Sequence, residues 1–182
     1  MTICQKCQDQ FHTLFETTNL HGTKVLTLYE YNEFMRENLY KLKACGDVEI
    51  SSGFLSYHLP YLRARFRNYL VIPAPSHREH DEKRGFNHVE EIFKSVGKKM
   101  CKAIIKTQNR KQSDLSALER SRISEILQWD KTVDIEHEKI LLVDDVMTTG
   151  STIEACLSLI KQHAPKSIVV LVLSKVVNYR ER

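Results

Sequence analysis

The chain has 182 residues, of which 42% are apolar and 27% are charged, and it carries a formal net charge of +4. This composition is ordinary for a water-soluble globular protein, and it excludes a low-complexity chain. No apolar run approaches the roughly 20 residues that a membrane-spanning helix needs, and the first residues do not resemble a signal peptide. We therefore expect a cytoplasmic protein that consists of one domain with a small appendage.

Two of the five cysteines, Cys4 and Cys7, have the Cys-x-x-Cys spacing of a metal-binding knuckle. A structural zinc ion usually takes four ligands from two such pairs, so this pair supplies half of a site. His12, His21 or Cys45 would have to complete it. The alternative is that the pair binds no metal, because an isolated Cys-x-x-Cys is a weak signal. An odd number of cysteines in a chain without an export signal indicates reduced thiols.

The first predicted elements of the main domain are a strand and two helices. Alternating apolar residues between Lys24 and Tyr31 predict the strand. Asn32 is a suitable cap for the helix that follows, in which the apolar residues form one stripe. A second helix is predicted from Val48 to about His58.

A basic segment comes next, in which Arg63, Arg65 and Arg67 alternate with apolar residues. Such a run is most simply the solvated end of a helix, and the alternative is a surface that binds nucleic acid. Aromatic residues that could stack on the bases of a single strand lie among the basic residues of the chain: Phe66, Tyr69 and Phe86.

Residues 69–72 predict a buried strand, which a Pro-Ala-Pro turn stops. The polar segment 76–87 that follows is predicted to be a loop, and a loop at the carboxyl edge of a parallel sheet is well placed to cover a ligand. Arg78, Lys83 and Arg84 supply positive charge that could bind a diphosphate. The alternative is a solvated loop that binds nothing.

Further helices and strands alternate after this loop. Asn87 is a plausible cap for an amphipathic helix over 89–100, and 103–105 predicts a short strand. A polar connector at 107–113 leads to a helix of mixed charge at 115–126. Because strands alternate with helices and several strands are continuous Val/Ile/Leu runs, we predict an α/β fold with a mostly parallel sheet flanked by helices.

The most informative stretch is 140–152, which reads Ile-Leu-Leu-Val-Asp-Asp-Val-Met-Thr-Thr-Gly-Ser-Thr. Four apolar residues predict a strand buried on both faces, and Asp144 and Asp145 stand at its carboxyl end. The apolar spacing that follows predicts a helix beginning near Ser151. Two carboxylates beside one anion site would repel a phosphate, so we expect them to hold sugar hydroxyls or a hydrated Mg²⁺.

The turn before that helix is a predicted anion site. The first amides of a helix lack partners within the helix and lie at the positive end of its dipole, where a phosphate binds well. Gly150 permits a tight turn, and the neighbouring hydroxyl groups can donate hydrogen bonds to phosphate oxygens. The residues expected to bind this phosphate are Thr148, Thr149, Gly150, Ser151 and Thr152.

The stretch resembles the 13-residue fingerprint of type I phosphoribosyltransferases, which binds 5-phosphoribosyl 1-diphosphate. The order of motifs along the whole chain resembles the ComF family of that superfamily, the competence-associated proteins also called GntX-like or amidophosphoribosyltransferase-like. The shared motifs are the Cys-x-x-Cys start, Tyr29 and Tyr31, Val-Ile-Pro-Ala-Pro, Arg-Gly-Phe-Asn at 84–87, Gln112-Ser113 and the Asp-Asp-Thr-Thr-Gly stretch.

This resemblance implies a type I phosphoribosyltransferase-like fold over 23–182, preceded at 1–22 by a truncated form of the family's zinc ribbon. It implies a role in carrying single-stranded DNA into the cytoplasm during natural transformation. The partners implied are a DNA helicase of the same operon and a DNA-processing protein, which would bring the chain to the inner face of the membrane. The family's Gln after Arg-Gly-Phe-Asn is here His88, which weakens the expectation of a role for that side chain.

Two functional hypotheses follow. The favoured one is a phosphoribosyltransferase with an unknown acceptor, in which Asp144 and Asp145 orient the ribose hydroxyls and Mg²⁺ is held mainly by the diphosphate. The basic residues of 76–87 would balance the charge of the leaving group. The alternative is a non-catalytic module of the transformation machinery that retains the fold and binds single-stranded DNA or a partner.

Overall fold

The computed structural model describes residues 3–76, 78–106 and 127–177, and for residues 78–80 it describes the backbone. The predicted connector at 107–113, the predicted helix at 115–126 and the Gln112-Ser113 motif lie outside these residues. Among the described residues, no helix is long and apolar enough to cross a bilayer.

The strands are β1 (Thr13–Leu20), β2 (Thr23–Glu30), β3 (Leu70–Pro73), β4 (Lys99–Met100), β5 (Ile104–Lys106), β6 (Leu127–Trp129), β7 (Lys139–Met147) and β8 (Ser167–Lys175). The helices are α1 (Gln5–Gln8), α2 (Glu33–Ala44), α3 (Ser51–Phe54), α4 (Leu59–Phe66), α5 (Arg78–Arg84), α6 (His88–Phe93) and α7 (Ser151–Lys161). A 3-10 helix at Val48–Ile50 precedes α3.

Six of these strands form one sheet in the order β1-β2-β8-β7-β3-β4. β1 and β2 pair antiparallel, whereas β2–β8, β8–β7, β7–β3 and β3–β4 pair parallel. β5 and β6 form a separate antiparallel pair. The predicted α/β class with a mostly parallel sheet is therefore confirmed.

Apolar side chains pack on both faces of the sheet. Leu141 and Val143 of β7 belong to a cluster with residues of α2, α4 and α6, whereas Leu142 belongs to a second cluster with residues of α7. Successive strand residues point to opposite faces, so a run without polar residues fits a strand covered by helices on both sides. This packing fixes the direction in which the residues after Val143 point.

The first 22 residues contribute directly to the main sheet. β1 pairs with β2 from Thr13 to Leu20, and the predicted boundary after residue 22 falls in the turn that joins them. Phe11 is 8% exposed, and its ring lies 5.1 Å from that of Tyr29 and 5.0 Å from that of Phe34. The segment thus supplies a strand and a core residue, and its likeness to a zinc ribbon stays a prediction.

Two predicted helices are shorter than expected. Within the helix predicted over 48–58, the structure has a 3-10 turn and the four-residue α3, which ends at Phe54. The weak helix formers Ser51, Ser52 and Gly53 make up most of α3 and disfavour a longer helix. Within the helix predicted over 89–100, α6 ends at Phe93. Gly97 adopts a left-handed φ of +78°, and the chain then returns to the sheet as β4.

The prediction of a loop over 76–87 was wrong in one respect, since the segment contains the seven-residue helix α5. Its sequence, Arg-Glu-His-Asp-Glu-Lys-Arg, is rich in good helix formers, and polarity alone does not distinguish a short solvated helix from a loop. Gly85 follows with a φ of +83°, where a left-handed residue commonly terminates a helix.

Candidate functional site

The candidate site lies where β7 loses one of its two neighbours. β3 pairs with β7 as far as Pro73 and Val143, whereas β8 continues to pair with β7 as far as Met147. The two acids therefore lie inside the strand rather than after its end, with a free edge on the β3 side. The chain leaves β7 through α7 toward β8 and leaves β3 in the opposite direction toward β4, which is the arrangement where open α/β sheets bind ligands.

An open cleft of about 870 Å³ occupies this edge. Its walls come from the end of α2, the segment after β3, the end of α5, the start of α6, the acidic part of β7 and the start of α7. Five of the residues predicted to form the site line it: Lys83, Arg84, Asp144, Asp145 and Thr152. The fold thus brings together the acidic pair and part of the predicted anion turn.

Asp145 is held between two side chains that the sequence did not indicate. Lys43, in the last turn of α2, forms an ion pair with Oδ2 of Asp145. His88, the first residue of α6, places Nε2 3.7 Å from Oδ1 of Asp145. The side chains of His88 and Asp145 are each 9% exposed, whereas that of Lys43 is 37% exposed. His88 therefore contacts the acidic pair, although its departure from the family pattern weakened the expectation of a role for it.

The contact between His88 and Arg84 indicates the tautomer of His88. Its Nδ1 lies 3.4 Å from Nη1 of Arg84, and a guanidinium can only donate hydrogen bonds, so Nδ1 accepts. In the neutral ring the proton then lies on Nε2, which faces Asp145. A chain of polar contacts therefore connects Arg84, His88, Asp145 and Lys43.

Asp144 has a different environment from its neighbour. It is partly exposed and lines the cleft, and its Oδ1 accepts a hydrogen bond of 2.9 Å from the amide of Asp145. Burial and the adjacent charge of Asp145 raise the pKa of Asp144 well above its ordinary value. Burial acts in the same direction on Asp145, but His88 and Lys43 outweigh it and hold the pKa of Asp145 below its ordinary value.

The predicted anion turn has a backbone suited to its purpose. Gly150 adopts a φ of +81° and stands at the N-cap of α7, which begins at Ser151 as predicted. Thr148 and Thr149 are exposed, and the hydroxyl oxygens of Thr149 and Ser151 lie 2.9 Å apart. Thr152 lines the cleft together with Asp144. A phosphate at the start of this 11-residue helix would therefore lie next to the acids.

Arg84 is not a free cation in the cleft. Its side chain is 8% exposed, and Nη2 lies 3.0 Å from Oδ1 of Asp81. Nε is buried and has no hydrogen-bond partner among the described residues. The charge of Arg84 is therefore largely balanced by Asp81, so the prediction that Arg84 binds a diphosphate directly receives no support from its present contacts.

Asn87 explains much of the Arg-Gly-Phe-Asn motif. Its Nδ2 donates hydrogen bonds of 2.9 Å to Oγ of Ser76 and to Oδ2 of Asp81. Its Oδ1 accepts a bond of 3.1 Å from the amide of Glu90, which caps α6 as predicted. Asn87 thus fixes α5 and α6 to the segment that follows β3.

The other predicted cations differ in position. Lys83 is exposed and lines the cleft, whereas the side chain of Arg78 lies outside what the structure describes. Arg63, Arg65 and Arg67 are exposed on α4 and at its end, outside the residues that line the cleft.

One proposed stacking residue was wrong. Phe66 is 1% exposed and belongs to the core, so its ring is not available to a base. An exposed aromatic does lie near the basic segment, since the guanidinium of Arg65 stands 5.8 Å from the ring centroid of Tyr61, which is 43% exposed.

Cys4 and Cys7 are close together at the amino terminus. Cys4 is exposed at the start of α1, and hydrogen bonds from the amide and thiol of Cys7 lower the pKa of Cys4. Within the described residues, no group of three or more His, Cys, Asp or Glu side chains could hold a metal ion. Zinc binding by this pair stays a prediction.

A family model described as "Phosphoribosyl transferase domain" matches residues 82–181. A relative from Bacillus subtilis (strain 168), "Competence protein ComFC", is 28% identical over 153 residues, which are 83% of this chain and 62% of the relative. A relative of the same name from Streptococcus pneumoniae (strain ATCC BAA-255 / R6) is 27% identical over 167 residues, 92% of this chain and 72% of the relative. The chain thus spans about three fifths of the first relative's length.

Two solved structures are similar at low identity. A hypoxanthine-guanine phosphoribosyltransferase (hpt-2) from Bacillus anthracis is 13% identical with a TM-score of 0.48, and 75% of each chain is covered. An adenine phosphoribosyltransferase is 12% identical with a TM-score of 0.45, covering 94% of this chain and 88% of the other. With the family match over 82–181, the chain belongs to the phosphoribosyl transferase domain family, as a ComF family member of the phosphoribosyltransferase superfamily.

Proposed function

We propose that this cleft binds 5-phosphoribosyl 1-diphosphate and Mg²⁺, and that the protein is a phosphoribosyltransferase that acts in natural competence in the cytoplasm. The proposal rests on one observation, which is that Asp144 and Thr152, at the start of α7, line the same cleft. A helix start attracts a phosphate, and a carboxylate at its side accepts hydrogen bonds from sugar hydroxyls. A phosphorylated pentose satisfies both groups at once.

The ligand would lie along the free edge of β7. Its 5-phosphate would contact the amides and hydroxyl groups of 148–152, and its ribose hydroxyls would donate to Asp144. The diphosphate would extend toward Lys83, which is exposed and lines the same cleft. Arg84 would support that wall through Asp81 and would contact the ligand only after that ion pair rearranges.

The side chains of the cleft suit a magnesium ion held mainly by the ligand. Mg²⁺ prefers oxygen ligands and keeps several waters, so it binds to diphosphate and hydroxyl groups with few protein ligands. Asp144 offers a carboxylate to this assembly, whereas Asp145 is engaged by Lys43 and His88. When bound, Mg²⁺ would neutralise charge that develops on the departing diphosphate.

Asp144 would serve the reaction by electrostatics. The bond between C1 and the diphosphate oxygen breaks with both electrons going to the diphosphate, and a nitrogen of the acceptor forms the new bond to C1. The sugar carries positive charge in between, which a nearby carboxylate stabilises. A bound cation would also favour the ionised form of Asp144, whose pKa is raised in the ligand-free protein.

Release of diphosphate tests this proposal. With no acceptor present, water can take the acceptor's place at C1, so the wild-type protein should slowly hydrolyse 5-phosphoribosyl 1-diphosphate to ribose 5-phosphate and diphosphate in a reaction that needs Mg²⁺. Asp144→Asn with Asp145→Asn should abolish this release. Asp134→Asn is the matched control, because Asp134 is exposed outside the residues that line the cleft. Release that continues unchanged in the double variant would overturn the assignment of the site.

A second candidate function is the binding of single-stranded DNA, with a helicase and a DNA-processing protein of the transformation machinery as partners. It is favoured by the aromatic-basic surface, which we define as Phe15, Tyr61 and Arg65. Phe15 is 37% exposed, and its ring lies 5.2 Å from that of Tyr61. A positive charge beside exposed rings is the usual combination for binding unpaired bases.

The affinity for a homopolymeric oligonucleotide, such as a thymidine 20-mer, measured over a series of salt concentrations, separates the two candidate functions. Binding through the aromatic-basic surface should weaken steeply as salt rises and should survive Asp144→Asn with Asp145→Asn. Tyr61→Ala should reduce the affinity by about tenfold, the effect of losing one stacked base. If Tyr61→Ala binds as the wild type does, this surface is not the DNA site.

A further inference from the structure

The position of Lys43 follows from the way α2 packs. Met35, Leu39 and Leu42 form the buried stripe of this helix, so the residue after Leu42 lies at the border between core and solvent. Gly46 then turns the chain with a φ of +71°, which ends the helix beside the cleft. Lys43 therefore lies at the end of α2, where its ammonium pairs with Asp145.

Asp145 is engaged on both of its oxygens. Lys43 contacts Oδ2, and His88 lies 3.7 Å from Oδ1. The side chain is 9% exposed, and the carbonyl of Asp145 accepts a hydrogen bond of 3.2 Å from Ser174. A sugar hydroxyl would have to displace one of these partners to reach this carboxylate, whereas Asp144 already lines the cleft.

Lys43 differs from Asp145 and His88 in that much of its side chain remains accessible to solvent. Its side chain is 37% exposed, and the residue lines the same cleft as Lys83 and Thr152. An ammonium group has three donors, so an ion pair with one carboxylate leaves donors for a second anion. Arg84, by contrast, is 8% exposed and is paired with Asp81.

We propose that Lys43 is a diphosphate-binding residue of this cleft, and that Asp145 is the positioning residue that aims it. This inference rests on the proposed function, and it assigns different roles to the two acids. Asp144 receives the ribose hydroxyls, and Asp145, fixed by His88, holds the ammonium of Lys43 toward the diphosphate. An anion with several charges should bind more tightly to Lys43 and Lys83 together than to either lysine alone.

Calorimetric titrations with inorganic diphosphate and with ribose 5-phosphate, each used separately, test this division. Lys43→Met should weaken diphosphate binding by about tenfold or more, the usual effect of losing one charge-assisted hydrogen bond, and should change ribose 5-phosphate binding by less than about twofold. Lys43→Arg should retain most of the diphosphate affinity. Lys41→Met is the matched control, since Lys41 is exposed on the same helix and does not line the cleft.

The acidic variants provide the complementary result. Asp145→Asn should weaken diphosphate binding because Lys43 is no longer aimed, whereas Asp144→Asn should weaken ribose 5-phosphate binding. Asp145→Asn that loses ribose 5-phosphate as fully as Asp144→Asn would overturn the division. So would Lys43→Met that binds diphosphate as the wild type does.

A measurement on the wild-type protein avoids dependence on the folding of these variants. Diphosphate should protect Lys43 from acetylation by acetic anhydride, as measured by mass spectrometry, and should leave Lys41 unprotected. Equal modification of Lys43 with and without bound diphosphate would contradict the inference. A different result would show that the proposed function is wrong, because the wild type would then bind neither ribose 5-phosphate nor 5-phosphoribosyl 1-diphosphate.

Discussion

The ion pair between Lys43 and Asp145 should stabilise the ligand-free protein by more than a fully exposed ion pair does and by less than a fully buried one does. The side chain of Asp145 is 9% exposed and that of Lys43 is 37% exposed, so solvent screens one partner but not the other. Two unit charges about 4 Å apart interact by about 1 kcal/mol in water and about 4 kcal/mol at an effective dielectric constant of about 20. We expect a coupling energy of about 1–2 kcal/mol.

The two single variants should differ in cost. Lys43→Met leaves a buried carboxylate with His88 as its remaining partner, and we expect a loss of about 2 kcal/mol in the free energy of unfolding. Asp145→Asn leaves a lysine that can move into solvent, so its loss should be smaller, about 1 kcal/mol. The two variants differ in cost because Asp145 is more buried than Lys43, since each variant removes one unit charge.

Urea denaturation of the two single variants and the double variant measures the coupling as a double-mutant cycle. The pKa of Asp145 is lower in the folded protein than its unfolded value of about 3.9, so the stabilisation is complete above that value. It should disappear as the pH falls through the lower, folded pKa. A coupling energy near zero at pH 7, or equal costs for the two single variants, would refute the reasoning.

Three further variants test other parts of the structure by urea denaturation. Asp144→Asn should stabilise the ligand-free protein by about 1 kcal/mol at pH 7, because burial and Asp145 raise the pKa of Asp144. The gain should shrink once the pH falls below that raised pKa, where the folded wild-type group protonates, and should be gone below the unfolded value of about 3.9. Asn87→Ala should cost about 2–3 kcal/mol, since it removes a helix cap and two side-chain hydrogen bonds. Gly97→Ala should cost about 2–4 kcal/mol, because the added Cβ would lie 2.4 Å from Cγ2 of Val71 at a left-handed φ.

The Asn87 and Gly97 variants each have a control that isolates the cause of the loss. Asn68→Ala changes an exposed asparagine and should have little effect, so an equal loss there would remove the argument for Asn87. Gly46→Ala has the same sign of φ but no atom within 4 Å of the added Cβ, and it should cost only about 1 kcal/mol. Equal costs at Gly46 and Gly97 would show that the backbone conformation, and not the close contact, sets the penalty.

Local patterns in the sequence were sufficient for the elements that frame the site. The unbroken apolar run before Asp144 predicted a doubly buried strand, and the spacing after Gly150 predicted the start of α7. Asn32 and Asn87 were identified as caps because capping depends on residues three positions apart. Such features involve neighbours along the chain, which is why the sequence alone can predict them.

The partners of Asp145 had no such local signal. A lysine near the end of a helix is common, and nothing in its neighbourhood indicates that packing will bring it to a distant strand. His88 departs from the pattern of the family, which weakened the expectation of a role for it, yet it lies against Asp145. Arg84 was predicted to bind the ligand from its charge, whereas its contact with Asp81 depends on the formation of α5.

The central claim is that a phosphorylated pentose binds across Asp144 and the turn at 148–152. Calorimetric titration of the wild-type protein with 5-phosphoribosyl 1-diphosphate and Mg²⁺ tests it without any choice of acceptor. We expect one molecule bound per chain and an affinity that falls by about tenfold or more in Asp144→Asn. The absence of binding to the wild type, or binding that Asp144→Asn leaves unchanged, would contradict the account.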